Sequence, residues 1–141
     1  MIFIDTWGWL ALGHRKDSHH REVLTYYKEL RNNHYNLFTS DYVLNETISL
    51  VFKREYFEEA VQFIEGILQG AKESYLTIET VTQEHFNSAW KMRKKFNDKP
   101  RISFTDITSM VIMKEKGIDK VLTQDEHFTH VGMGFHIFPH N

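Results

Sequence analysis

Four carboxylates in this sequence stand where a shared metal site would need them. Carboxylates that crowd together repel one another and raise one another's pKa unless a cation neutralises them. Mg²⁺ and Mn²⁺ suit that task, because hard divalent cations take oxygen ligands and keep several water molecules. A cation held in this way can polarise a phosphate group and activate water for in-line attack. The four residues are Asp5, Glu46, Asp106 and Asp125.

Three of these carboxylates have an ordinary explanation when each is taken alone. Asp5 ends the apolar run MIFID and could cap a following helix, and Asp125 in TQDEHF could be a turn residue. Asp106 with Ser103 fits the pattern S-x-x-D, a variant of the capping box, and aspartate is favoured in a first helical turn. Each of these explanations accounts for one residue only.

Glu46 is the hardest of the four to explain by local structure. Its neighbours on the predicted helix, three residues before and four after, are Val43 and Leu50. A carboxylate on an otherwise apolar face is costly to bury without a partner, so the alternative is a salt bridge to an unidentified Lys or Arg. A common metal site explains all four carboxylates at once, and we favour it.

A run of positive charge precedes Asp106 in the segment KMRKKFNDKPR (91–101). The run holds six basic residues and one acid, and it could hold phosphates beside the acidic site. The alternative is a solvated helix end, where cations offset the helix dipole. The predicted RNA-binding residues are Lys91, Arg93, Lys94, Lys95, Lys99 and Arg101.

The elements that must position these residues alternate between strands and helices. Alternation of this kind predicts an α/β fold with three layers, α/β/α, and a mainly parallel central sheet joined by right-handed crossovers. The predicted strands are MIFID (1–5), YNLFTS (35–40), YLTIETV (75–81), KVLTQD (120–125) and GFHIFP (134–139).

Five helical patterns separate the strands, and the last of them begins at the proposed site. In parallel sheets ligands bind beyond the carboxyl ends of the strands, which is where Asp5 and Asp125 would lie. The predicted helices cover 18–33, 41–54 with Ser40 or Asp41 as cap, 56–71, 82–96 opened by Thr82, and 103–116 ended by Gly117.

Length and composition fit one domain that spans residues 1–141. Hydrophobic residues make up 41% and charged residues 26% of the chain, and there is no cysteine, which excludes disulfides and thiolate chemistry. The net charge of −2 would be +2 without the four proposed site acids. We expect no membrane span and no signal peptide, and therefore a cytoplasmic location.

The sequence resembles the PIN-domain ribonucleases, and in particular the VapC-like toxins of type II toxin–antitoxin pairs. The resemblance runs the full length of the chain. It rests on the order and spacing of FIDTW, SDYVLNETISL, FNDKPRISFTDITSMVIM and VLTQDEHF.

This resemblance implies roles for individual residues. It assigns the family's metal-binding and catalytic acids to Asp5, Glu46, Asp106 and Asp125, and it matches Thr6 and Thr123 to hydroxyl residues beside the first and last of them. It also implies Mg²⁺- or Mn²⁺-dependent cleavage of RNA, a homodimer and inhibition by a cognate antitoxin. It implies no role for Trp7, Trp9 or the histidines near them.

Two other functions compete with the ribonuclease. A haloacid-dehalogenase-type phosphohydrolase also has an aspartate at the end of its first strand, but it needs a second aspartate two residues later, where this chain has Trp7. A non-catalytic RNA-binding or dimerisation module would need no acidic cluster. A zinc site at the histidine pairs 127/130 or 136/140 is also weakly indicated, because their spacing is unspecific without cysteines.

Overall fold

A computed structural model describes residues 1–140 and shows five short strands in one sheet. The strands are β1 (Ile2–Ile4), β2 (Leu37–Ser40), β3 (Leu76–Glu79), β4 (Lys120–Leu122) and β5 (His136–Phe138). Their order in the sheet is β3-β2-β1-β4-β5, and every pair of neighbouring strands is parallel.

Seven helices connect and cover the strands in residues 1–140. They are α1 (Thr6–Gly13), α2 (His20–Asn32), α3 (Asp41–Arg54), α4 (Phe57–Lys72), α5 (Gln83–Lys95), α6 (Phe104–Lys116) and α7 (His127–His130). None of these helices is both long enough and apolar enough to span a membrane.

The central strand shows that helices cover both faces of the sheet. Successive side chains of a strand point to opposite faces, yet Ile2, Phe3 and Ile4 are all completely buried. Strands buried on both sides are typical of parallel sheets between two helical layers. The predicted three-layer α/β/α architecture is therefore confirmed.

The strands are shorter than predicted, most clearly at the end of β4. The prediction extended that strand to Asp125, but the strand ends at Leu122. After it, backbone N–H groups donate hydrogen bonds to nearby side chains and form a turn. The Thr123 hydroxyl accepts a hydrogen bond from the Asp125 N–H, and the Asp125 carboxylate accepts one from the His127 N–H. The strands predicted over 1–5, 35–40, 75–81 and 134–139 are each also shorter at one or both ends.

Helix α1 was not predicted, because TWGWLALG is apolar on nearly every side and shows no helical periodicity. It packs tightly on the sheet through Gly8, where an added Cβ would lie 2.7 Å from the Leu122 carbonyl oxygen. Trp9 is buried, and its indole N–H donates to the Thr39 hydroxyl, which donates to the Ile4 carbonyl oxygen. These bonds attach the helix that follows Asp5 to two strands.

We predict that Gly8→Ala destabilises the protein by about 2 kcal/mol, because overpacking against backbone forces α1 away from the sheet. Urea unfolding measures the effect. Gly66→Ala is the matched control, since nothing lies within 4 Å of a Cβ at that exposed helical position. That control should be neutral or stabilising by up to about 1 kcal/mol. Equal stabilities of the two variants would contradict the close packing.

Candidate metal centre

One cleft of about 470 Å³ brings the four predicted carboxylates together at the carboxyl edge of the sheet. The edge is also where the strand order reverses: β2 lies on one side of β1 and β4 on the other. Such a reversal opens a crevice in parallel sheets, and ligands bind there. We call this the acidic cleft; it is lined by Asp5, Thr6, Trp7, Leu10, Glu46, Leu50, Arg101, Ser103, Asp106, Gln124, Asp125 and His127.

Asp5 follows β1 directly and is only 2% exposed. The Thr123 hydroxyl donates to its Oδ2 at 3.0 Å, while its Oδ1 is buried and has no hydrogen-bond partner among residues 1–140. Burial raises the pKa of Asp5 to about 7, and the negative charges of Asp125 and Glu46 add to the rise. Oδ2 of Asp5 is thus fixed by a hydrogen bond, whereas Oδ1 faces no well-aligned hydrogen-bond donor within residues 1–140.

Asp106 lies in the first turn of α6 and is 7% exposed. Ser103 is the N-cap residue, and its hydroxyl accepts the Asp106 N–H at 3.0 Å. The capping interpretation is therefore correct for Ser103, which is the N-cap residue of α6. Burial raises the pKa of the Asp106 carboxyl to about 9, and repulsion from Asp5 and Asp125 contributes. Asp106 also lines the cleft.

The two remaining carboxylates are less buried. Glu46 lies in the second turn of α3 and is half-buried. Asp125 is positioned by its own N–H, which donates to the same Thr123 hydroxyl that bonds Asp5. Thr123 therefore links the carboxylates that follow the two neighbouring strands β1 and β4.

His127 belongs to this cleft, and the sequence interpretation missed it there. Its Nδ1 lies 3.0 Å from the Asp125 Oδ1, although the two groups are not aligned as a hydrogen bond. Ligand atoms of Asp106, Asp125 and His127 all lie within 4.8 Å of one another. The available signal was the D-x-H spacing, because an aspartate side chain that accepts the N–H two residues later brings the two side chains together.

The donor set fits a hard divalent cation. All four carboxylates present oxygen, and the buried Oδ1 of Asp5 lacks a partner within the described chain. The Thr6 hydroxyl is likewise buried without a partner there, and it lines the same cleft. Burial is the main cause of the raised pKa values of Asp5 and Asp106, and repulsion among the carboxylates adds to it, so a bound cation would favour their ionised forms.

The predicted RNA-binding cations do not share one environment. Arg101 is exposed and lines the acidic cleft. The Arg93 guanidinium instead donates to the carbonyl oxygens of Phe96, Lys99 and Ile102, so it braces the segment between α5 and α6. Lys91, Lys94 and Lys95 are exposed on α5, and Lys99 pairs with Asp98.

Three of the histidines make local structural contacts. His14 pairs with Glu55, His20 bonds the Ala11 carbonyl oxygen, and His85 completes the capping box of α5. Within residues 1–140, the pairs 127/130 and 136/140 do not assemble with a third ligand into a histidine-based site.

Comparisons with known proteins agree with this fold. A family model for the PIN domain matches residues 2–133. The 23S rRNA-specific endonuclease VapC20 of Mycobacterium tuberculosis is 31% identical over 132 residues, which cover 94% of this chain and 95% of the relative. The crystal structure of VapC20, described as a sarcin–ricin loop cleaving toxin, matches with a TM-score of 0.77 and 29% identity over 94% of this chain and 95% of that chain.

The chain belongs to the PIN-domain family. Its similarity to VapC20 extends over nearly the whole length of both proteins, so the predicted resemblance to VapC-like toxins is confirmed. The phosphohydrolase alternative is not favoured, since the family match covers the site and Trp7 stands where that chemistry needs an aspartate.

Proposed function

We propose that this protein is an endoribonuclease that depends on Mg²⁺ or Mn²⁺ and acts as the toxin of a toxin–antitoxin pair. The activity of VapC20, a 23S rRNA-specific endonuclease with which the chain shares fold and 31% identity, supports RNA as the substrate. An RNA-cleaving toxin meets its substrate in the cytoplasm, which is where we place it.

One observation carries the metal dependence: four carboxylates line a single cleft, and one oxygen of the most buried carboxylate has no partner in residues 1–140. Such a cluster is electrostatically unfavourable unless positive charge enters it. Asp5, Glu46, Asp106 and Asp125 would hold the cation. When bound, it would supply polarisation of the phosphate and activation of water.

The protein's own residues position the parts of this reaction. Thr123 orients Asp5 and Asp125 together, and Ser103 anchors the helical turn that presents Asp106. Arg101 stands at the cleft, where its guanidinium can bind a phosphate oxygen of the RNA backbone. Attack by water with breakage of the bond between phosphorus and the 3′-oxygen leaves a 5′-phosphate and a 3′-hydroxyl, and no 2′-hydroxyl of the RNA takes part.

The experiment that tests this function is cleavage of a sarcin–ricin loop hairpin, with an unrelated hairpin in parallel. We expect cleavage that requires Mg²⁺ or Mn²⁺, stops with chelator and yields 5′-phosphate ends. Undiminished cleavage in chelator, or 2′,3′-cyclic phosphate ends, would contradict the metal mechanism. Cleavage of the unrelated hairpin alone would leave the activity intact and exclude the relative's substrate.

An antitoxin can block such a site by simple charge complementarity. An arginine side chain placed among the carboxylates would form charge-assisted hydrogen bonds with two of their oxygens. The acidic cleft is open to solvent beside Arg101 and Asp125, so a peptide can reach it. We therefore propose a cognate antitoxin that inserts a basic side chain here.

We predict a homodimer, because α3 and α4 expose a group of apolar side chains that a monomer would leave in water. Ile48 and Phe52 are both 37% exposed, Phe57 is 67% exposed, and the two phenylalanine rings meet edge to face at 5.5 Å. Light scattering with size-exclusion chromatography should give a dimer at micromolar concentration and a monomer for Phe52→Glu. Leu68→Glu, at an exposed leucine outside this group, is the control and should remain dimeric. A wild-type monomer would refute the interface.

A further inference from the structure

A second cleft, of about 480 Å³, lies where the ends of α1 and α3 meet, and it is rich in positive charge. Arg15 and Lys16 follow α1, and Lys53 and Arg54 form the last turn of α3. All four side chains are exposed. We call this the basic cleft; it is lined by His14, Arg15, Lys16, Lys53, Arg54, Glu55, Tyr56 and Glu59.

Helix dipoles alone do not account for this charge. The C-terminus of a helix carries the equivalent of about half a negative charge, and the ends of α1 and α3 together carry about one. The cleft has four cations and two acids, and one of those acids, Glu55, is paired with His14. Positive charge therefore remains in excess after both acids and both helix ends are counted.

The basic cleft continues the acidic cleft along the same two helices. Leu10 of α1 and Leu50 of α3 line the acidic cleft, whereas His14 and Arg54 line the basic one. Each pair is four residues apart, which is about 6 Å along a helix. A ligand that lies over α1 and α3 can therefore occupy both clefts.

We propose that the basic cleft binds the phosphodiester backbone of the RNA substrate next to the nucleotides that occupy the acidic cleft. This rests on the proposed ribonuclease function and adds a site to it. The four cations supply sequence-independent contacts to phosphates, which fix the register of the strand in the acidic cleft. The acidic cleft would then cleave the strand, and the cations of the basic cleft would bind its phosphates.

Tyr56 favours a nucleic acid over an acidic protein as the occupant. Its side chain is 79% exposed on the wall of the basic cleft. An exposed ring beside cations can stack on an unpaired base while the phosphates bind the cations, a combination typical of single-stranded RNA recognition. An acidic peptide offers the charge but not the stacking surface.

The experiment measures RNA binding by the full chain as a function of salt, in the inactive Asp106→Asn background. Adding Lys53→Gln and Arg54→Gln should lower affinity for single-stranded RNA about tenfold and reduce the slope of log K against log salt by about 1.4, or about 0.7 for each phosphate that is no longer neutralised. Arg15→Gln with Lys16→Gln, on the neighbouring loop, should act in the same direction. In the active protein the same pairs should raise KM and leave kcat unchanged.

The matched control removes two exposed lysines elsewhere, with Lys28→Gln and Lys72→Gln, and should leave the slope unchanged. An unchanged slope for both basic-cleft pairs, in a protein that cleaves RNA normally, overturns this proposal and leaves the ribonuclease intact. Polyglutamate serves as a probe for an acidic protein partner. If the basic-cleft variants lost binding to polyglutamate but kept their binding to RNA, the proposal would also be overturned. If the wild-type protein cleaves no RNA, the ribonuclease function itself fails.

Discussion

Asp106→Asn should lower the rate of RNA cleavage by about 10³-fold or more, because the charge on this carboxylate is what a cation in the cleft would require. Asparagine has nearly the same shape, and the N–H of residue 106 keeps its bond to the Ser103 hydroxyl. The variant should therefore fold normally. Initial rates on a cleavable RNA, with saturating Mg²⁺ or Mn²⁺, measure the effect.

Asp119→Asn is the control for loss of one negative charge. Asp119 is exposed and lies just before β4, at the opposite end of that strand from the acidic cleft. This variant should keep wild-type rates. Substantial activity in Asp106→Asn would remove Asp106 from the reaction and leave it as a residue of the first helical turn.

The metal-free protein should lose stability as the pH rises through the range in which its buried carboxyl groups ionise. The folded-state pKa values, about 7 for Asp5 and about 9 for Asp106, lie above the ordinary value of 3.8. The folded protein then binds more protons than the unfolded chain above about pH 4, so ionisation costs stability up to about pH 9. Asp106→Asn removes one of these costs.

Thermal melts in chelator measure this effect as the difference between Asp106→Asn and wild type. The variant should be neutral near pH 4 and more stable by at least about 1 kcal/mol at pH 8, which is about 3 °C in Tm. Excess Mg²⁺ should stabilise the wild type, by about 2.7 kcal/mol at one hundred times Kd, and the variant less. A variant that is strongly destabilised in chelator would show that the carboxylate supports the fold.

Most of the fold follows from hydrophobic patterning, because amphipathic helices and buried strands leave distinct periodicities. Helices α2 to α6 lie within two residues of their predicted bounds, and Gly117 ends α6 with a positive φ, as predicted. Helix α1 was not predicted because it is buried on nearly every side, and its sequence therefore lacks a helical periodicity. Helix α7 was not predicted because it is a single turn. The backbone N–H groups of Asp125 and His127, which lead into it, donate to the side chains of Thr123 and Asp125.

The candidate site was predictable where strand ends determine position. Asp5 and Asp125 follow neighbouring parallel strands, so topology alone brings them together. His127 was not placed there, because its approach depends on the turn geometry around Asp125. The structural role of Arg93 was not predicted either. A run of basic residues does not indicate which of them donates hydrogen bonds to backbone carbonyl oxygens. The sequence pattern does not reveal which contacts a single side chain makes, even with residues only a few positions away.

The central claim is that Asp5, Glu46, Asp106 and Asp125 bind a divalent cation together. Anomalous diffraction from crystals soaked in Mn²⁺ tests it most directly, because the signal locates the ion itself. We predict a peak within coordination distance of carboxylate oxygens in the acidic cleft, next to the Asp5 Oδ1, and no such peak in Asp106→Asn. An empty cleft at Mn²⁺ concentrations that support cleavage, or an ion bound only at His127 or another histidine, would contradict the account.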